Sequence, residues 1–210
     1  MSKITEVAEL VEKGKAKLVG AAVQGALDER CDATEILSSM IDAMAVVGEK
    51  FKNGEIFVPE MLVAARAMKK GVEVLKPHLA TGATGSMGKL IIATVAGDLH
   101  DIGKNLVAMM IESAGFEVID LGVDVPASKI IECYKENPDV KVIALSALLT
   151  TTMPSLKDTV AAINAEDFRG KVKVMVGGAP ITDAFAKEIG ADGYSEDAAS
   201  AAVLAKALVA

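Results

Sequence analysis

The second part of this chain alternates short apolar runs with amphipathic stretches, and this alternation restricts its fold more than any other feature. The runs that favour strands cover Leu90–Val95, Glu117–Leu121, Val142–Leu145, Val172–Val176 and Ala191–Tyr194. The stretches that favour helices cover Ile102–Ser113, Ser128–Lys135, Ser155–Asn164, Asp183–Ile189 and Ala198–Leu208. Apolar strands joined by helical crossovers are typical of a parallel sheet covered on both faces. The pattern predicts an α/β fold, a flavodoxin-like (Rossmann-like), doubly wound, five-stranded parallel sheet.

The first part of the chain has the spacing of helices instead. Ile4, Val7 and Val11 lie on one helical face, and Asp32 is a candidate N-cap for a long segment that follows. Four such segments with short connections favour a four-helix bundle. Glycines and small polar residues then indicate a linker. The expected organisation is a helical bundle cap domain at 1–76, a linker at 77–88 and an α/β domain at 89–210.

Composition excludes several function classes. The 210 residues carry 22 Lys plus Arg against 29 Asp plus Glu, a net charge of -7, and only 3% are aromatic. Such a chain would repel phosphates, so nucleic acid is not an expected partner. Cys31 and Cys133 cannot form a disulfide framework or a metal cluster. No apolar run has the roughly 18 residues of a membrane span. Without a signal peptide, a cytoplasmic protein is expected.

His100 is the strongest candidate ligand in the sequence. It follows the first predicted parallel strand, where ligands of this fold bind. Asp98 lies two residues before it, close enough to accept a hydrogen bond from Nδ1 and leave Nε2 free for a metal. Gly103 would let a large planar ligand approach the backbone. A bare metal ion would need three or four protein ligands, whereas a metal inside a macrocycle needs one axial ligand.

Other interpretations of this fold fit less well. The segment Gly97–Gly103 lacks the G-x-G-x-x-G pattern of a dinucleotide site. Ser146 stands where a phospho-receiver would need an aspartate. A hydrolase built from Ser146, His100 and Asp98 remains open, although no G-x-S-x-G turn is present.

Three motifs together resemble a known family. Asp98-x-His100-x-x-Gly103, then Ser146-x-Leu148, then Gly177-Gly178 are similar to the signature of cobalamin-binding domains in the methionine synthase and methylmalonyl-CoA mutase group. The preceding helices narrow the resemblance to methionine synthase and to the corrinoid proteins of anaerobic methyltransferase systems. The stretch from Asn53 to Leu62 is also similar to that family's bundle.

The resemblance implies a site for a methylcobalamin- or hydroxocobalamin-type corrinoid. His100 would be the lower axial ligand of the cobalt in place of the cofactor's own base, Asp98 would hold it, and Ser146 would extend the hydrogen-bond chain. The nucleotide tail would enter the sheet between the first and third strands. The implied cofactor-binding residues are Gly97, Asp98, His100, Asp101, Ile102, Gly103, Ser146, Leu148, Thr150, Gly177, Gly178 and Tyr194, with Met61 in an apolar lid from the bundle.

The implied function is that of a methyl carrier without catalytic activity alone. It would pass a methyl group from a substrate-specific methyltransferase to a second methyltransferase, with tetrahydrofolate or a thiol as acceptor and a reductive activation protein as a further partner. Two alternatives from other classes remain, a cobalamin-binding sensor and a corrinoid-free interaction module.

Overall fold

A computed structural model of the protein describes residues 2–79 and 87–210. They divide into two compact units, one built from the N-terminal helices and one around a sheet. None of the described helices is long and apolar enough to cross a membrane.

The first unit contains four helices, as the apolar spacing predicts. They are α1 (Lys3–Glu12), α2 (Ala16–Asp28), α3 (Ala33–Lys52) and α4 (Val58–Leu75). The Asp32 carboxylate caps α3 by accepting the N–H groups of Thr34 and Glu35. Gly54, with φ of +72°, allows the turn that ends this helix.

The second unit contains the predicted sheet and its helices. In chain order they are β1 (Gly88–Thr94), α5 (Ile102–Ser113), β2 (Phe116–Asp120), α6 (Ala127–Glu136), β3 (Val140–Ser146), α7 (Met153–Asn164), β4 (Lys173–Gly177), α8 (Asp183–Glu188), β5 (Gly193–Ser195) and α9 (Ala198–Val209). The strands are all parallel, in the order β2-β1-β3-β4-β5. The predicted flavodoxin-like architecture is therefore confirmed.

The strand order fixes where a ligand can bind. The chain leaves β1 toward one edge of the sheet and later returns to place β3 on its other side. The loops after β1 and β3 therefore diverge at a switch point, which is the usual ligand crevice of an open α/β sheet. One sheet face is apolar at alternate strand positions and packs on α6 and α7; this core includes Ile91, Ala93, Ile143, Leu145, Val174, Val176, Ile130, Leu156 and Val160.

The segment between the units is only partly described. Lys76–His78 form a short 3-10 turn after α4, and β1 already begins at Gly88. The central part of the predicted linker, residues 80–86, lies outside the described residues. The linker and the domain limits therefore stay predictions.

Candidate functional site

The segment after β1 turns sharply before it presents His100. The N–H of Asp98 donates to the Val95 carbonyl at 3.1 Å and closes the turn. Gly97 holds φ of +82° at its third position, a conformation that favours glycine. This turn directs the Asp98 side chain inward, where it is completely buried, while His100 remains at the surface.

The Asp98 carboxylate accepts two hydrogen bonds at each oxygen. Oδ1 takes the His100 backbone N–H at 3.1 Å and the His100 ring Nδ1 at 2.7 Å. Oδ2 takes the Leu148 N–H at 2.7 Å and the Thr152 hydroxyl at 2.8 Å. The last two donors lie in the loop after β3, so the loops on either side of the switch point meet at this carboxylate.

These contacts determine the charge of Asp98 and the tautomer of His100. Burial raises the pKa of the Asp98 carboxyl, but the hydrogen bonds from Leu148, the His100 ring, the His100 N–H and Thr152 outweigh burial and hold that pKa well below its usual range. An ionised carboxylate can only accept, so Nδ1 carries the proton. In the neutral ring, the lone pair is then on Nε2. The His100 side chain is 49% exposed, so it can reach a ligand.

The hydrogen-bond chain does not continue through Ser146 as predicted. Thr152, near the start of α7, contacts Asp98 instead. The Ser146 hydroxyl lies 2.9 Å from that of Thr94, which donates to the His100 carbonyl at 3.0 Å. Because Thr94 uses its only proton there, Ser146 donates to Thr94. Ser146 therefore supports the His100 backbone, and the serine-histidine contact that a hydrolase would need is not among the hydrogen bonds of residues 87–210.

The three motif glycines have different surroundings. A Cβ added to Gly103, in the first turn of α5, would meet nothing within 4 Å, so packing within the protein does not require glycine there. A Cβ on Gly177 would lie 3.0 Å from the Ser195 carbonyl oxygen. Gly178 has φ of +127°, and its Cβ would lie 1.9 Å from the Ala147 carbonyl oxygen. The close approach of two loops requires Gly178 in this structure, whereas the open space at Gly103 suits a flat ligand.

Apolar side chains at the carboxyl end of the sheet are unusually exposed. They come from the loops after β1 and β3 and from the first residue of α5; the exposed fractions are 72% for Leu99, 83% for Ile102, 41% for Leu148 and 42% for Leu149. Asp101 and Thr150 are exposed in the same two connections. Such a group of apolar residues at one end of a sheet is typical of a ligand surface.

Two of the predicted cofactor-binding residues, Tyr194 and Met61, are less accessible to a ligand. Tyr194 in β5 is partly buried and packs against the sheet core. Met61 is completely buried on the inward stripe of α4, with Ala65 and Met68. Met61 therefore has no exposed surface in this structure, and its place in a lid over the ligand stays a prediction. Phe57, four residues earlier in the chain, has an exposed aromatic side chain, at 67%.

The donor set suits a metal that brings its own equatorial ligands. Within residues 2–79 and 87–210, no group of three His, Cys, Asp or Glu side chains could hold a metal ion. One imidazole with a free Nε2, fixed by a carboxylate, is what an axial position requires. These residues therefore fit a corrinoid.

Comparison with known proteins identifies the family. A family model described as a B12 binding domain matches residues 88–203, and a second B12 binding domain model matches residues 4–76. The chain belongs to the B12-binding corrinoid proteins. This corrinoid protein is 46% identical over 210 residues to dimethylamine corrinoid protein 1 of Methanosarcina acetivorans, covering 99% of this chain and 97% of that one.

Two solved structures resemble the corrinoid protein over nearly all of its length. A cobalamin-binding protein from Desulfitobacterium hafniense DCB-2 has a TM-score of 0.84 at 32% identity, with 99% of this chain and 98% of that chain covered. A chain of the methanol:cobalamin methyltransferase complex MtaBC from Methanosarcina barkeri has a TM-score of 0.82 at 29% identity, with 99% of this chain and 79% of that chain covered.

The family confirms the coarse predictions. The protein is a corrinoid protein of anaerobic methyltransferase systems, and its cofactor is cobalamin or a related corrinoid. These findings support a corrinoid methyl carrier over a corrinoid-free interaction module. The roles of the individual site residues stay predictions.

Sequence reasoning missed two residues at the site. Thr152 is the third of three consecutive threonines, and spacing does not show which of them turns toward Asp98. Asp124 contacts the turn after β1 from the loop after β2, a loop that no motif indicated.

Proposed function

We propose that this protein carries methyl groups on a corrinoid bound base-off, with His100 as the lower axial ligand. The observation that supports the proposal is the short contact between His100 Nδ1 and the buried, ionised Asp98 carboxylate. It leaves Nε2 as the free basic nitrogen on an exposed ring. The bound cobalt would supply the methyl-transfer chemistry, and the protein would control its axial position.

The residues of the chain would have distinct tasks. His100 binds, and Asp98 keeps the proton on Nδ1 and fixes the ring plane. Leu148 and Thr152 hold the Asp98 carboxylate through its second oxygen. The exposed apolar side chains, Leu99 and Ile102 among them, would cover a macrocycle and exclude water. The tail would lie near Gly103, Gly177 and Gly178, with Tyr194 at the edge of its pocket.

The proposed partners are a substrate-specific methyltransferase, a second methyltransferase that uses tetrahydrofolate or a thiol, and a reductive activation protein. A dimethylamine system is the first donor system to test, since relatives at 42–46% identity over nearly the whole chain are dimethylamine corrinoid proteins. Transfer from dimethylamine, monomethylamine and methanol, each with its own methyltransferase, would be compared.

Reconstitution of the apoprotein with hydroxocobalamin tests the axial ligand. We expect a base-off, His-on absorption spectrum from the native protein and its loss in His100→Ala. His78→Ala is the matched control, because His78 is the only other histidine of the chain and is exposed in the 3-10 turn after α4. A His100→Ala spectrum like that of the native protein would overturn the proposal, as would native protein that stays colourless after desalting.

A further inference from the structure

Asp124 lies in the loop between β2 and α6 and holds an uncommon backbone conformation. Its φ is +53°, and in the described parts of the chain only Arg30 shares a positive φ without being glycine. Aspartate tolerates this region better than most residues, although glycine does so with less strain. Its exposed position shows that packing in the core does not dictate the residue.

Asp124 forms two hydrogen bonds with the turn that carries Asp98. Its Oδ1 accepts the Gly97 N–H at 2.7 Å, and its own N–H donates to the Asp98 carbonyl at 2.9 Å. The next residue continues the contact, since Val125 pairs with Val95 in a parallel bridge and its N–H donates to the Thr94 carbonyl at 3.0 Å. The loop after β2 therefore binds three peptide groups of the segment after β1, through the Thr94 carbonyl, the Gly97 N–H and the Asp98 carbonyl.

Asp98 is thus held from two sides. Its carboxylate is fixed by the loop after β3, through Leu148 and Thr152, and its main chain by the loop after β2, through Asp124. The Asp98 carboxylate reaches the His100 ring, Leu148 and Thr152 at the same time only while the Gly97–Asp98 turn holds it in place. If the turn relaxed, some of these hydrogen bonds would lengthen. The acceptor of the Gly97 N–H is a carboxylate oxygen, and hydrogen bonds to carboxylates are shorter and stronger than those to neutral acceptors.

We propose that Asp124 is a positioning residue for the axial ligand, acting through the Gly97–Asp98 turn on the orientation of His100. This inference rests on the proposed function, because it takes His100 as the cobalt ligand. The hydrogen bonds of Asp124 in the described residues go to Gly97 and Asp98 and not to the imidazole. It keeps the His100 ring, and with it Nε2, in one position and orientation at the carboxyl end of the sheet.

The test measures the binding of diaquocobinamide, a corrinoid without a nucleotide base, so that the protein alone can supply an axial nitrogen. The variants are Asp124→Ala, Asp124→Asn and Asp124→Gly, each made in the native protein and together with His100→Ala. Asp124→Asn keeps an acceptor for the Gly97 N–H. Asp124→Gly removes the acceptor without adding backbone strain, because glycine readily adopts a positive φ. It should therefore keep the fold even if Asp124→Ala does not.

Loss of outer-shell support typically weakens metal binding about 10- to 100-fold, and we expect about 10-fold from Asp124→Ala and Asp124→Gly. Asp124→Asn should remain within about 2-fold of the native protein. The Co(II) electron paramagnetic resonance spectrum should show the nitrogen coupling of His100 broadened in the Ala and Gly variants only. Asp167→Ala is the matched control, since Asp167 is also exposed and has no hydrogen bond or ion pair within the described residues; it should bind as the native protein does.

The double variants separate the two proposals. When His100 is absent, Asp124→Gly should cause no further loss of affinity. Equal losses with and without His100, or native affinity and coupling in Asp124→Gly, would overturn the role of Asp124 while leaving the axial ligand intact. Native cobinamide affinity in His100→Ala alone would overturn the proposed function, and the inference with it.

Discussion

Replacing Thr152 by valine keeps the shape of the side chain but removes one of the four hydrogen bonds to the buried Asp98 carboxylate, together with the acceptor of the Leu149 N–H. A hydrogen bond to a charged group contributes about 1.5–3 kcal/mol. Thr152 is only 6% exposed, so water cannot replace its hydroxyl. We therefore expect Thr152→Val to lower the free energy of unfolding of the apoprotein by about 2 kcal/mol at pH 7.

The pH dependence isolates the part of this loss that belongs to Asp98. The pKa of Asp98 is lowered in the folded protein, so its ionised form stabilises the fold above the ordinary pKa of about 3.9, and this stability is lost as the pH falls below it. Thr152→Val brings the folded pKa closer to the ordinary value. The variant therefore loses less stability on acidification, and its difference from the native protein should narrow as the pH falls through the variant's own folded pKa, which lies below the ordinary value.

The assay is urea unfolding of the apoproteins from pH 7 down to the lowest pH at which they stay folded, together with the carbon-13 chemical shift of the Asp98 carboxyl over the same range. Thr152→Ser keeps the hydroxyl and should titrate as the native protein does. Ser146→Ala should leave the Asp98 titration unchanged, because Ser146 donates to Thr94. If Ser146→Ala shifted that titration and Thr152→Val did not, the assignment of Thr152 as the partner of Asp98 would be refuted.

Three further substitutions test the fold and the site. Gly178→Ala should cost about 3 kcal/mol or more, since backbone strain and overpacking each contribute about 1–3 kcal/mol and its Cβ would lie 1.9 Å from a carbonyl oxygen; a thermal melt near that of the native protein would contradict this. Gly103→Ala should change the free energy of unfolding of the apoprotein by less than about 1 kcal/mol but weaken hydroxocobalamin binding, because its Cβ faces open space; unaltered binding would remove the argument for a ligand there. Asp32→Ala should cost about 1 kcal/mol in urea unfolding through loss of the α3 cap, whereas Asp32→Asn should retain most of that stability.

The fold could be predicted because its signals are local. The apolar spacing of residues 102–113 gives α5 with the bounds that the structure has, and the apolar run from Leu90 gives the body of β1. The switch point then follows from strand order, which right-handed crossovers restrict to few possibilities. The 3-10 turns at Lys76–His78 and Thr150–Thr152 were not predicted, because threonine, lysine and histidine have no strong preference for them.

The site could be predicted only where its contacts are close in sequence. Asp98 and His100 are two residues apart, so the geometry of one turn brings them together. Thr152 and Asp124 reach Asp98 and Gly97 across 54 and 27 residues. Hydroxyl and carboxylate groups are common in loops, and only the three-dimensional structure shows which of them contact the segment after β1.

The Asp98 carboxylate accepts hydrogen bonds from the loops after two neighbouring strands, so it links the separation of the strand ends to electron donation by the His100 ring. Because Leu148 and Thr152 lie in the loop after β3 and Asp98 follows β1, separating the ends of the two strands would lengthen the contacts of Oδ2. Fewer donors on Oδ2 leave more negative charge for Nδ1–H, which makes Nε2 a stronger electron donor. The distance between the two strand ends and the electron donation at Nε2 are therefore coupled through the Asp98 carboxylate.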